Sequence, residues 1–270
     1  IYTKYGKLGT NSPQITEDTI REGKNAGRSN ETMIEEQAYK EAQARWEKQI
    51  KKNYVESLDR AEAGESDIAG ISPMLAHSFD KHGSKMLFPC WGQKKYDGIR
   101  CICIVKNGKA TMWSRTRKPI TSMPHIMAEM EKHFPIGTFI FDGELFSSNE
   151  FEKIVSLVRQ EEEDKDHSLI GYYVYDMVLD IPYKDRWANL SKIFASKKFE
   201  FIIQAPTIRV ERHQIDALHD EFVNQGFEGL ILRNPDTIYE HSRSYGLLKY
   251  KKFQDDEFEI VGITEGRGKL

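Results

Sequence analysis

Apolar residues recur along this chain at two different spacings, and the change of spacing divides it into two parts. Between residues 31 and 57 an apolar side chain stands at every fourth position, which predicts one long helix with an apolar face. These positions are Ile34, Ala38, Ala42, Trp46, Ile50 and Tyr54. The small, polar, glycine-containing residues 61–67 then indicate a linker, so we place a domain boundary near residue 68.

Short apolar runs alternate with helical spacings between residues 68 and 253. Asn107-Gly108 stands between two apolar runs, 100–105 and 110–114, and an Asn-Gly pair in this position is the strongest short signal for a β-hairpin. Further strands are predicted over residues 138–141, 168–179, 228–232 and 247–250, and helices over 124–134, 149–160, 186–197 and 214–225. Strands joined by hairpins as well as by helices favour an α+β fold with largely antiparallel sheets flanked by helices.

The composition limits the classes of function. Lys and Arg number 39 against 42 Asp and Glu, so the net charge of −3 argues against a globally basic nucleic-acid binder but allows a local basic groove. No run of about 18 apolar residues occurs, so the sequence predicts no membrane-spanning helix. The first residue is Ile1 and no apolar signal segment follows it, so we expect a fragment or a processed product.

The cysteines indicate the cellular compartment. Cys90, Cys101 and Cys103 are odd in number, and the last two alternate inside an apolar run. This pattern is typical of reduced core residues rather than of a disulfide framework or a zinc site. We therefore expect an intracellular protein, in the cytoplasm of a bacterial or phage-infected cell, with a nuclear location left open.

The segment most informative about chemistry is Lys95-Tyr96-Asp97-Gly98-Ile99-Arg100. One interpretation is an Asp-Gly turn before a strand, with a surface lysine beside it. In the other, the Lys95 amine attacks the α-phosphate of a nucleotide and holds it as a phosphoramide. The pKa of that amine must then fall, and the neighbouring cations Lys94 and Arg100 would lower it. Gly98 would let the backbone turn tightly beside the nucleotide.

The pattern Lys-x-Asp-Gly-x-Arg resembles the nucleotide-attachment motif of the covalent nucleotidyltransferases, specifically that of ATP-dependent DNA ligases. Further segments resemble the other motifs of that family and stand in the family's order. They are Ser72-Pro73-Met74-Leu75-Ala76, Ser114-Arg115, Phe141-Asp142-Gly143-Glu144-Leu145, Tyr175-Asp176, Glu228-Gly229-Leu230 and Leu248-Lys249-Tyr250-Lys251. The resemblance implies a nucleotidyltransferase (adenylation) domain over residues 68–253.

The resemblance also implies a role for each matching residue. Lys95 would be the catalytic nucleophile. The nucleotide would be bound by Gln93, Arg100, Glu144, Tyr175, Lys249 and Lys251. Mg²⁺ would be bound by Glu144 and Glu228, whose carboxylates are the oxygen ligands that this ion prefers. DNA would be bound by Ser114, Arg115, Arg117 and Arg243.

Spacing and side-chain chemistry bear on several of these roles. Lys249 and Lys251 alternate along a strand and would share one basic face, as would Arg115 and Arg117. The family often has Glu where this chain has Gln93, and the amide oxygen of glutamine can accept the same hydrogen bond from the adenine amino group. Each segment also has an ordinary structural interpretation when it is taken alone, such as a hairpin turn, a core aromatic residue or a solvated basic face.

The two ends of the chain resemble other modules. Tyr5-Gly6-Lys7-Leu8-Gly9 and the helix that follows faintly resemble the Trp-Gly-Arg (WGR) module of DNA-end-responsive proteins, which would make residues 1–67 a small N-terminal α/β module. Residues 254–270 resemble the start of the oligonucleotide-binding (OB) barrel that follows the adenylation domain in this family. So short a segment cannot close a five-stranded barrel, so we expect that barrel to be incomplete in this chain.

The sequence thus predicts an ATP-dependent DNA ligase that seals 5′-phosphate/3′-hydroxyl nicks through a covalent lysyl-AMP intermediate, with ATP and Mg²⁺. Its partner would be nicked duplex DNA, and it would act as a monomer without a membrane. The alternatives are a GTP-dependent mRNA capping guanylyltransferase, which shares these motifs, and a non-catalytic DNA-binding module. An NAD-dependent ligase is less well supported, because nothing upstream resembles a nicotinamide-binding segment.

Overall fold

A computed structural model describes residues 1–5, 11–28, 30–50, 71–148, 151–160, 165–252 and 262 of the chain. In the N-terminal part, strands β1 (Tyr2–Tyr5) and β2 (Gln14–Glu17) pair antiparallel, and the predicted long helix is present as α1 (Ile34–Ile50). Two residues of its apolar face, Ile34 and Trp46, are 50% and 52% exposed, so no described residue covers them. The predicted linker, residues 6–9 and 51–54 of the WGR-like match, and nearly all of residues 254–270 lie outside the described ranges.

The larger part of the chain alternates strands and helices from residue 75 onwards. The strands are β3 (Leu75–Ser78), β4 (Cys90–Lys94), β5 (Ile99–Lys106), β6 (Lys109–Ser114), β7 (Thr138–Phe146), β8 (Gly171–Met177), β9 (Ile202–Gln204), β10 (Thr207–Val210), β11 (Leu230–Arg233) and β12 (Arg243–Tyr250). The helices are α2 (Phe79–His82), α3 (Pro124–His133), α4 (Phe151–Arg159), α5 (Tyr183–Ser196) and α6 (Ile215–Asn224). Short 3₁₀ turns span Gly83–Lys85, Lys165–Leu169 and Arg212–Gln214.

These strands form two five-stranded sheets. Sheet 1 has the order β10-β4-β11-β12-β3, and sheet 2 has the order β6-β5-β7-β8-β9. Within the described part of the two sheets, every pairing is antiparallel except β12–β3 and β8–β9. The α+β prediction with largely antiparallel sheets is therefore confirmed.

Each sheet has its own apolar core. Sheet 2 packs against α3, α4 and α5 through residues such as Met112, Ile126, Phe141 and Leu190, all of which are buried. Sheet 1 packs against α6 through a second cluster that includes Leu218, Phe222, Leu230 and Leu248. Because the helices cover the outer faces, the inner faces of the two sheets are left to form a site between them.

The predicted hairpin between β5 and β6 is confirmed. Asn107 and Gly108 have φ angles of 49° and 75°, and a two-residue hairpin turn with positive φ at both positions follows the right-handed twist of its strands. The predicted cysteine environment is also confirmed, because all three thiols are free and buried. None of the helices in the described ranges combines the length and the apolar content that crossing a membrane requires.

Several predicted boundaries were wrong. Strand β7 continues past residue 141 to Phe146, and β12 begins at Arg243 rather than at residue 247, because both strands carry polar residues that line a site. Strand β8 is shorter than the predicted 168–179, since a 3₁₀ turn occupies its first positions. Helix α5 begins three residues earlier than predicted, directly after Pro182, where a residue with fixed φ is well suited to precede a first helical turn.

Candidate active site

A cleft lies between the inner faces of the two sheets. Sheet 1 contributes its strands β3, β4, β11 and β12, and sheet 2 contributes β5, β7 and β8. The cleft is lined by Leu75, Ala76, Gln93, Lys94, Lys95, Tyr96, Arg100, Arg115, Glu144, Tyr175, Ile231, Arg233, Arg243, Leu247 and Lys249. Most of the residues that the sequence singled out therefore meet at one place, although they come from segments far apart in the chain.

Lys95 directly follows β4 and is held by the backbone of the segment that leads into β11. Its N–H donates to the carbonyl of Gly229 at 3.0 Å, and its own carbonyl accepts from the N–H of Glu228 at 3.0 Å. The Nζ atom of Lys95 contacts Oε2 of Glu228, and Nζ of Lys251 lies 2.9 Å from Oε1 of the same carboxylate. Glu228 therefore bridges the two lysines, so neither Glu228 nor Lys251 needs to line the cleft to act on Lys95.

Two glycines allow this close approach. A Cβ atom at Gly98 would lie 2.3 Å from the carbonyl oxygen of Leu145 and 2.9 Å from Cγ of Glu144. Gly98 is thus required because β7 packs against it, rather than for the tight turn that we predicted. Gly229 has a φ of 144°, which L residues rarely adopt, and a Cβ there would lie 2.4 Å from the carbonyl oxygen of Tyr250.

The environment of Lys95 favours its neutral amine. Burial lowers the pKa of Lys95 most, the positive charges of Lys251 and Lys249 lower it further, and the carboxylates of Glu144 and Asp97 oppose these effects. Our prediction named Lys94 and Arg100, but the cations with the largest effect on this pKa are Lys249, which lies in β12, and Lys251, which directly follows that strand. The Nζ atom of Lys94 lies 4.3 Å from the ring centre of Phe227.

Glu144 and Tyr175 face each other across β7 and β8. The register passes from Asp142–Asp176 to Gly143–Val174, which leaves Tyr175 as the extra residue of a β-bulge. Its phenol donates to Oε2 of Glu144 at 3.2 Å. Burial raises the pKa of Glu144 to about 7, although Arg100, Lys95 and the Tyr175 hydrogen bond act in the opposite direction.

Arg100 anchors the site through hydrogen bonds to a buried carboxylate and a backbone carbonyl. Its Nε donates to Oδ1 of Asp142 at 2.7 Å and its Nη2 to the carbonyl of Met74 at 2.9 Å. The Asp142 carboxylate is fully buried and also accepts from the hydroxyl of Tyr239 at 2.6 Å. Because Arg100 also lines the cleft, it links the floor of the site to the segment that precedes β3.

Sequence reasoning missed Arg233 and the second buried carboxylate, Asp176. Arg233 ends the apolar strand β11, lines the cleft, and donates to Oδ2 of Asp176 at 2.7 Å. Asp176 also accepts from Nε of Arg186 at 2.7 Å, and all three charged side chains are at most 4% exposed. A lone arginine at the end of an apolar run was the available signal, but the sequence does not reveal its partner.

Gln93 is buried beside this pair, with an exposed fraction of 2%. Its Oε1 accepts from Nε of Arg233 at 2.8 Å. Its Nε2 lies 2.8 Å from Oγ1 of Thr207, 3.0 Å from the hydroxyl of Tyr183 and 3.3 Å from the carbonyl of Tyr175. The side chain that we predicted to recognise a nucleobase is therefore fixed at both ends of its amide.

The residues predicted to bind DNA do not form one surface. Arg115 lines the cleft, and Arg243 does so as well while its Nη1 donates to the carbonyl of Ala76. Strand β6 ends at Ser114, whose hydroxyl accepts from the N–H of Lys118 at 3.0 Å, and Arg117 has a φ of 62°. Arg115 and Arg117 thus lie in a turn, so our prediction of a shared strand face was wrong because the strand stops before them.

The carboxylates of the cleft suit a hard cation only together with a further ligand. Glu228 contacts the Nζ atom of Lys95, and Glu144 lines the same cleft as Lys95. Within the described ranges, no group of three or more His, Cys, Asp or Glu side chains is placed to hold a metal ion. Mg²⁺ is commonly held by one or two carboxylates together with substrate phosphates, and this donor set fits that pattern.

The chain is similar to a protein family and to several known proteins. The family described as the ATP dependent DNA ligase domain matches residues 73–251. A DNA ligase of African swine fever virus (isolate Warthog/Namibia/Wart80/1980) is 27% identical over 264 residues, which cover 92% of this chain and 61% of that protein. A DNA ligase of Haemophilus influenzae is 30% identical over 187 residues, or 66% of this chain and 63% of that protein. The chain thus spans about three fifths of the length of these curated relatives.

Solved structures share the fold as well. The crystal structure of the Chlorella virus DNA ligase-adenylate superposes with a TM-score of 0.54 and 27% sequence identity, over 68% of this chain and 69% of that one. A structure named Pmar-Lig_PreS3 superposes with a TM-score of 0.62 and 25% identity, over 67% of this chain and 46% of that one.

Proposed function

This chain belongs to the family of ATP-dependent DNA ligase domains, and we propose that it seals 5′-phosphate/3′-hydroxyl nicks in duplex DNA through a covalent lysyl-AMP intermediate. The observation that carries the proposal is the Lys95 amine. It lies in a cleft between two sheets, its pKa is lowered by burial and by two lysines, and its Nζ atom contacts the carboxylate of Glu228. A lysine with a lowered pKa is a competent nucleophile at phosphorus.

In the first step, the nitrogen of Lys95 forms a bond to the α-phosphorus of ATP. The bond from that phosphorus to the bridging oxygen of the β-phosphate breaks, and pyrophosphate leaves with the bonding electron pair. The amine must first lose its proton, and the charges of Lys249 and Lys251 favour that loss. The same two charges are suited to hold the phosphate oxygens, so positioning and electrostatics carry most of the catalysis.

The base and the ribose would lie deeper in the cleft. Tyr175 offers a flat ring that the β-bulge directs inward, and stacking on adenine would favour binding. Gln93 would accept from the adenine amino group, and Glu144 from a ribose hydroxyl. These assignments are spatially consistent, because Gln93, Glu144 and Tyr175 all line the same cleft as Lys95.

Mg²⁺ would be held by Glu144 and Glu228 together with phosphate oxygens, and it would neutralise the charge that develops on the transferring phosphoryl group. The protein itself supplies the fixed positions of the two carboxylates. Glu144 is held by the Tyr175 hydroxyl, and Glu228 is held by two lysines.

In the second and third steps, AMP moves from Lys95 to DNA and then leaves. A 5′-phosphate oxygen at the nick bonds to the phosphorus of AMP while the nitrogen–phosphorus bond breaks and Lys95 recovers its proton. The 3′-hydroxyl then attacks the DNA phosphate and displaces AMP. Ser114, Arg115, Arg117 and Arg243 are the residues we propose for the nick, since arginine can contact a phosphate through two hydrogen bonds at once.

Labelling with radioactive nucleotides tests the first step. The protein is incubated with Mg²⁺ and ATP, GTP or NAD labelled in the nucleotide that would be retained, and then separated on a denaturing gel. We expect an adduct from ATP that is absent in Lys95→Ala and present in the matched control Lys94→Ala. An adduct from GTP alone would favour a capping guanylyltransferase, and labelling of Lys95→Ala would place the nucleophile elsewhere.

The oligomeric state, the partner and the location of the chain are also proposed here. We propose a monomer that binds nicked duplex DNA inside the cell, because its thiols are buried and free and a single chain supplies the residues that line the cleft. The role of residues 1–67 as a WGR-like module stays a prediction. Sedimentation of the protein with and without a nicked duplex measures both the monomeric state and the complex.

A further inference from the structure

The carboxamide of Gln93 can be turned with either its oxygen or its NH₂ group toward a ligand. The oxygen and NH₂ groups of a glutamine amide have nearly the same size but opposite hydrogen-bonding character. A ligand in the cleft therefore meets an acceptor or a donor according to which way the amide is turned. Gln93 is 2% exposed and lines the cleft, so its orientation is set by the protein rather than by solvent.

Two of its neighbours cannot change their hydrogen-bonding character. The guanidinium of Arg233 has only donors, and its Nε lies 2.8 Å from Oε1 of Gln93. The carbonyl of Tyr175 has only acceptors and lies 3.3 Å from Nε2. The hydroxyls of Thr207 and Tyr183 also contact Nε2, and they donate to the carbonyls of Ala205 and Tyr175, so each can accept from the NH₂ group. Of the side chains that contact this amide in the described structure, Arg233 is the one that holds its oxygen end.

Arg233 is itself held in place. Its Nη1 donates to Oδ2 of Asp176 at 2.7 Å, and the guanidinium is 3% exposed. Asp176 is anchored on its other side by Nε and Nη2 of Arg186. This buried chain of charges prevents Arg233 from turning away from Gln93.

We propose that Arg233 is a positioning residue that locks the Gln93 carboxamide with its oxygen available to the ligand, and that this lock makes the cleft select a purine with a 6-amino group. The inference rests on the proposed nucleotide-binding function and extends it to the choice of base. Oε1 accepts one hydrogen bond from Arg233 and keeps a second lone pair, which a 6-amino group can use. The 6-oxo group of guanine would meet that lone pair with another acceptor and would be repelled.

The lock matters because residue 93 is an amide. A carboxylate presents an acceptor in either orientation, so it would need no such lock. With glutamine, a flipped amide would present NH₂ to the ligand and would favour guanine instead. Base selection in this chain therefore depends on a residue that need not touch the base.

The test measures how Arg233→Lys changes base selection. Lysine keeps a positive charge beside Asp176 but has no group at the position of Nε that could donate to Gln93. Initial rates of covalent adduct formation are measured with ATP, GTP and purine riboside 5′-triphosphate, which lacks the 6-amino group. We expect the wild-type protein to prefer ATP over the purine analogue by about tenfold or more, and Arg233→Lys to prefer it by no more than about threefold, with a higher relative rate from GTP.

Two further variants separate orientation from general damage. Arg186→Lys disturbs the far side of the same buried carboxylate while Arg233 keeps its own bonds to Asp176 and Gln93, so its ratio of ATP to purine analogue should fall much less than that of Arg233→Lys. Adding Gln93→Glu to Arg233→Lys should restore the ratio to about tenfold, because a carboxylate needs no orienting partner. If Arg233→Lys does not fold, Arg233→Met leaves the Asp176–Arg186 pair intact and should show the same loss of preference.

The possible outcomes separate a failure of the proposed function from a failure of the Arg233 lock. If wild-type protein forms no adduct with any of the nucleotides, the proposed function fails and base selection is not reached. If wild-type protein labels with ATP but Arg233→Lys keeps the full preference, the lock is wrong while the function stands. Loss of preference that Gln93→Glu does not restore, or an equal loss in Arg186→Lys, would also overturn the lock.

Discussion

At the scale of single residues, the reactivity of Lys95 depends on charges contributed by a distant strand. Lys249 lowers the pKa of Lys95, so Lys249→Met should raise that pKa. Adduct formation requires the neutral amine, and its rate rises with pH until the pKa is passed. We therefore expect the rising limb of the pH–rate profile, measured at saturating ATP, to move to higher pH.

The control for this prediction is Lys192→Met, which removes an exposed lysine on α5, outside the cleft. Its pH–rate profile should match that of the wild type. A lower maximal rate without any displacement along the pH axis in Lys249→Met would mean that Lys249 only holds phosphate and does not tune the nucleophile.

The ionisation of Glu144 is expected to affect both the free energy of unfolding and the rate of adduct formation. Burial raises its pKa from 4.5 to about 7, so the folded state binds more protons than the unfolded state between these values. The ionised side chain therefore reduces stability progressively as the pH rises from about 4.5 to 7, and the loss remains above that window. Glu144→Gln should increase the free energy of unfolding by about 1–3 kcal/mol at about pH 8, while adduct formation falls at least about tenfold.

Urea unfolding of both proteins at about pH 8 and at about pH 4.5 measures this effect. The gain should nearly vanish at the lower pH, where the wild-type side chain is protonated in the folded state and about half protonated in the unfolded state. An equal gain at both values would show that packing, rather than ionisation, separates the two proteins.

The sequence could predict which residues bear chemistry but not how they are paired. Lys95, Glu144 and Tyr175 stand in short motifs whose residue types carry their own meaning, and all three line the cleft. Arg233 pairs with Asp176 across 57 positions of sequence, and no local pattern encodes that choice. Long-range electrostatic partners are set by the packing of the two sheets, which a single sequence does not display.

At the scale of elements, the connection from α6 to β11 decides how Glu228 meets Lys95. Gly229→Ala should destabilise the protein, because Gly229 has a φ of 144° and its Cβ would lie 2.4 Å from the carbonyl oxygen of Tyr250. Backbone strain of this kind costs on the order of 1–3 kcal/mol, and β11 would have to move. We expect that loss of stability, measured by thermal unfolding, together with at least a tenfold slower adduct formation, since Glu228 moves with its neighbour.

Gly226 offers a matched control on the same connection. It also has a positive φ, of 87°, but its Cβ would meet nothing within 4 Å. Gly226→Ala should therefore lose only the smaller cost of the dihedral angle, about 1 kcal/mol, and keep its rate of adduct formation. A rate for Gly229→Ala as high as that of the control would show that the position of Glu228 is not critical.

The elements with strong local signals were predicted well. The Asn-Gly hairpin and the helices α3 and α6 follow their patterns closely. Strands β3, β4, β9 and β10 were missed because they are only three to five residues long, which is too short for a reliable pattern of apolar and polar positions. The bulge that directs Tyr175 into the cleft depends on the pairing of β7 with β8, so no local pattern could indicate it.

At the scale of the whole molecule, the proposed DNA binding would have to come from a few local charges, since the net charge is −3. Arg115 and Arg243 both line the cleft. Each phosphate contact contributes about 0.9 to the slope of log K against log salt concentration. Arg115→Met with Arg243→Met should therefore reduce the slope for a nicked duplex by about 2, and should slow nick sealing more than adduct formation.

Titration of a labelled nicked duplex at several salt concentrations measures this slope. Arg209→Met with Arg212→Met is the control, because both of these arginines are exposed and neither lines the cleft in the described part of the chain. Unchanged slopes in both double variants would move the DNA contacts to other residues, with the N-terminal residues 1–67 as the first to examine.

The charged side chains buried between the sheets have a mechanical consequence. Arg233 of sheet 1 holds Asp176 of sheet 2, and Arg100 of sheet 2 holds the carbonyl of Met74 just before β3. Separating the sheets would break the buried Arg233–Asp176 ion pair, at a cost of about 3–5 kcal/mol, which corresponds to an open population on the order of 10⁻³. The two walls of the cleft therefore stay together in nearly all molecules. A ligand must enter and leave through a mouth of constant width, and any closure over it has to be made by a part of the protein that lies outside these two sheets.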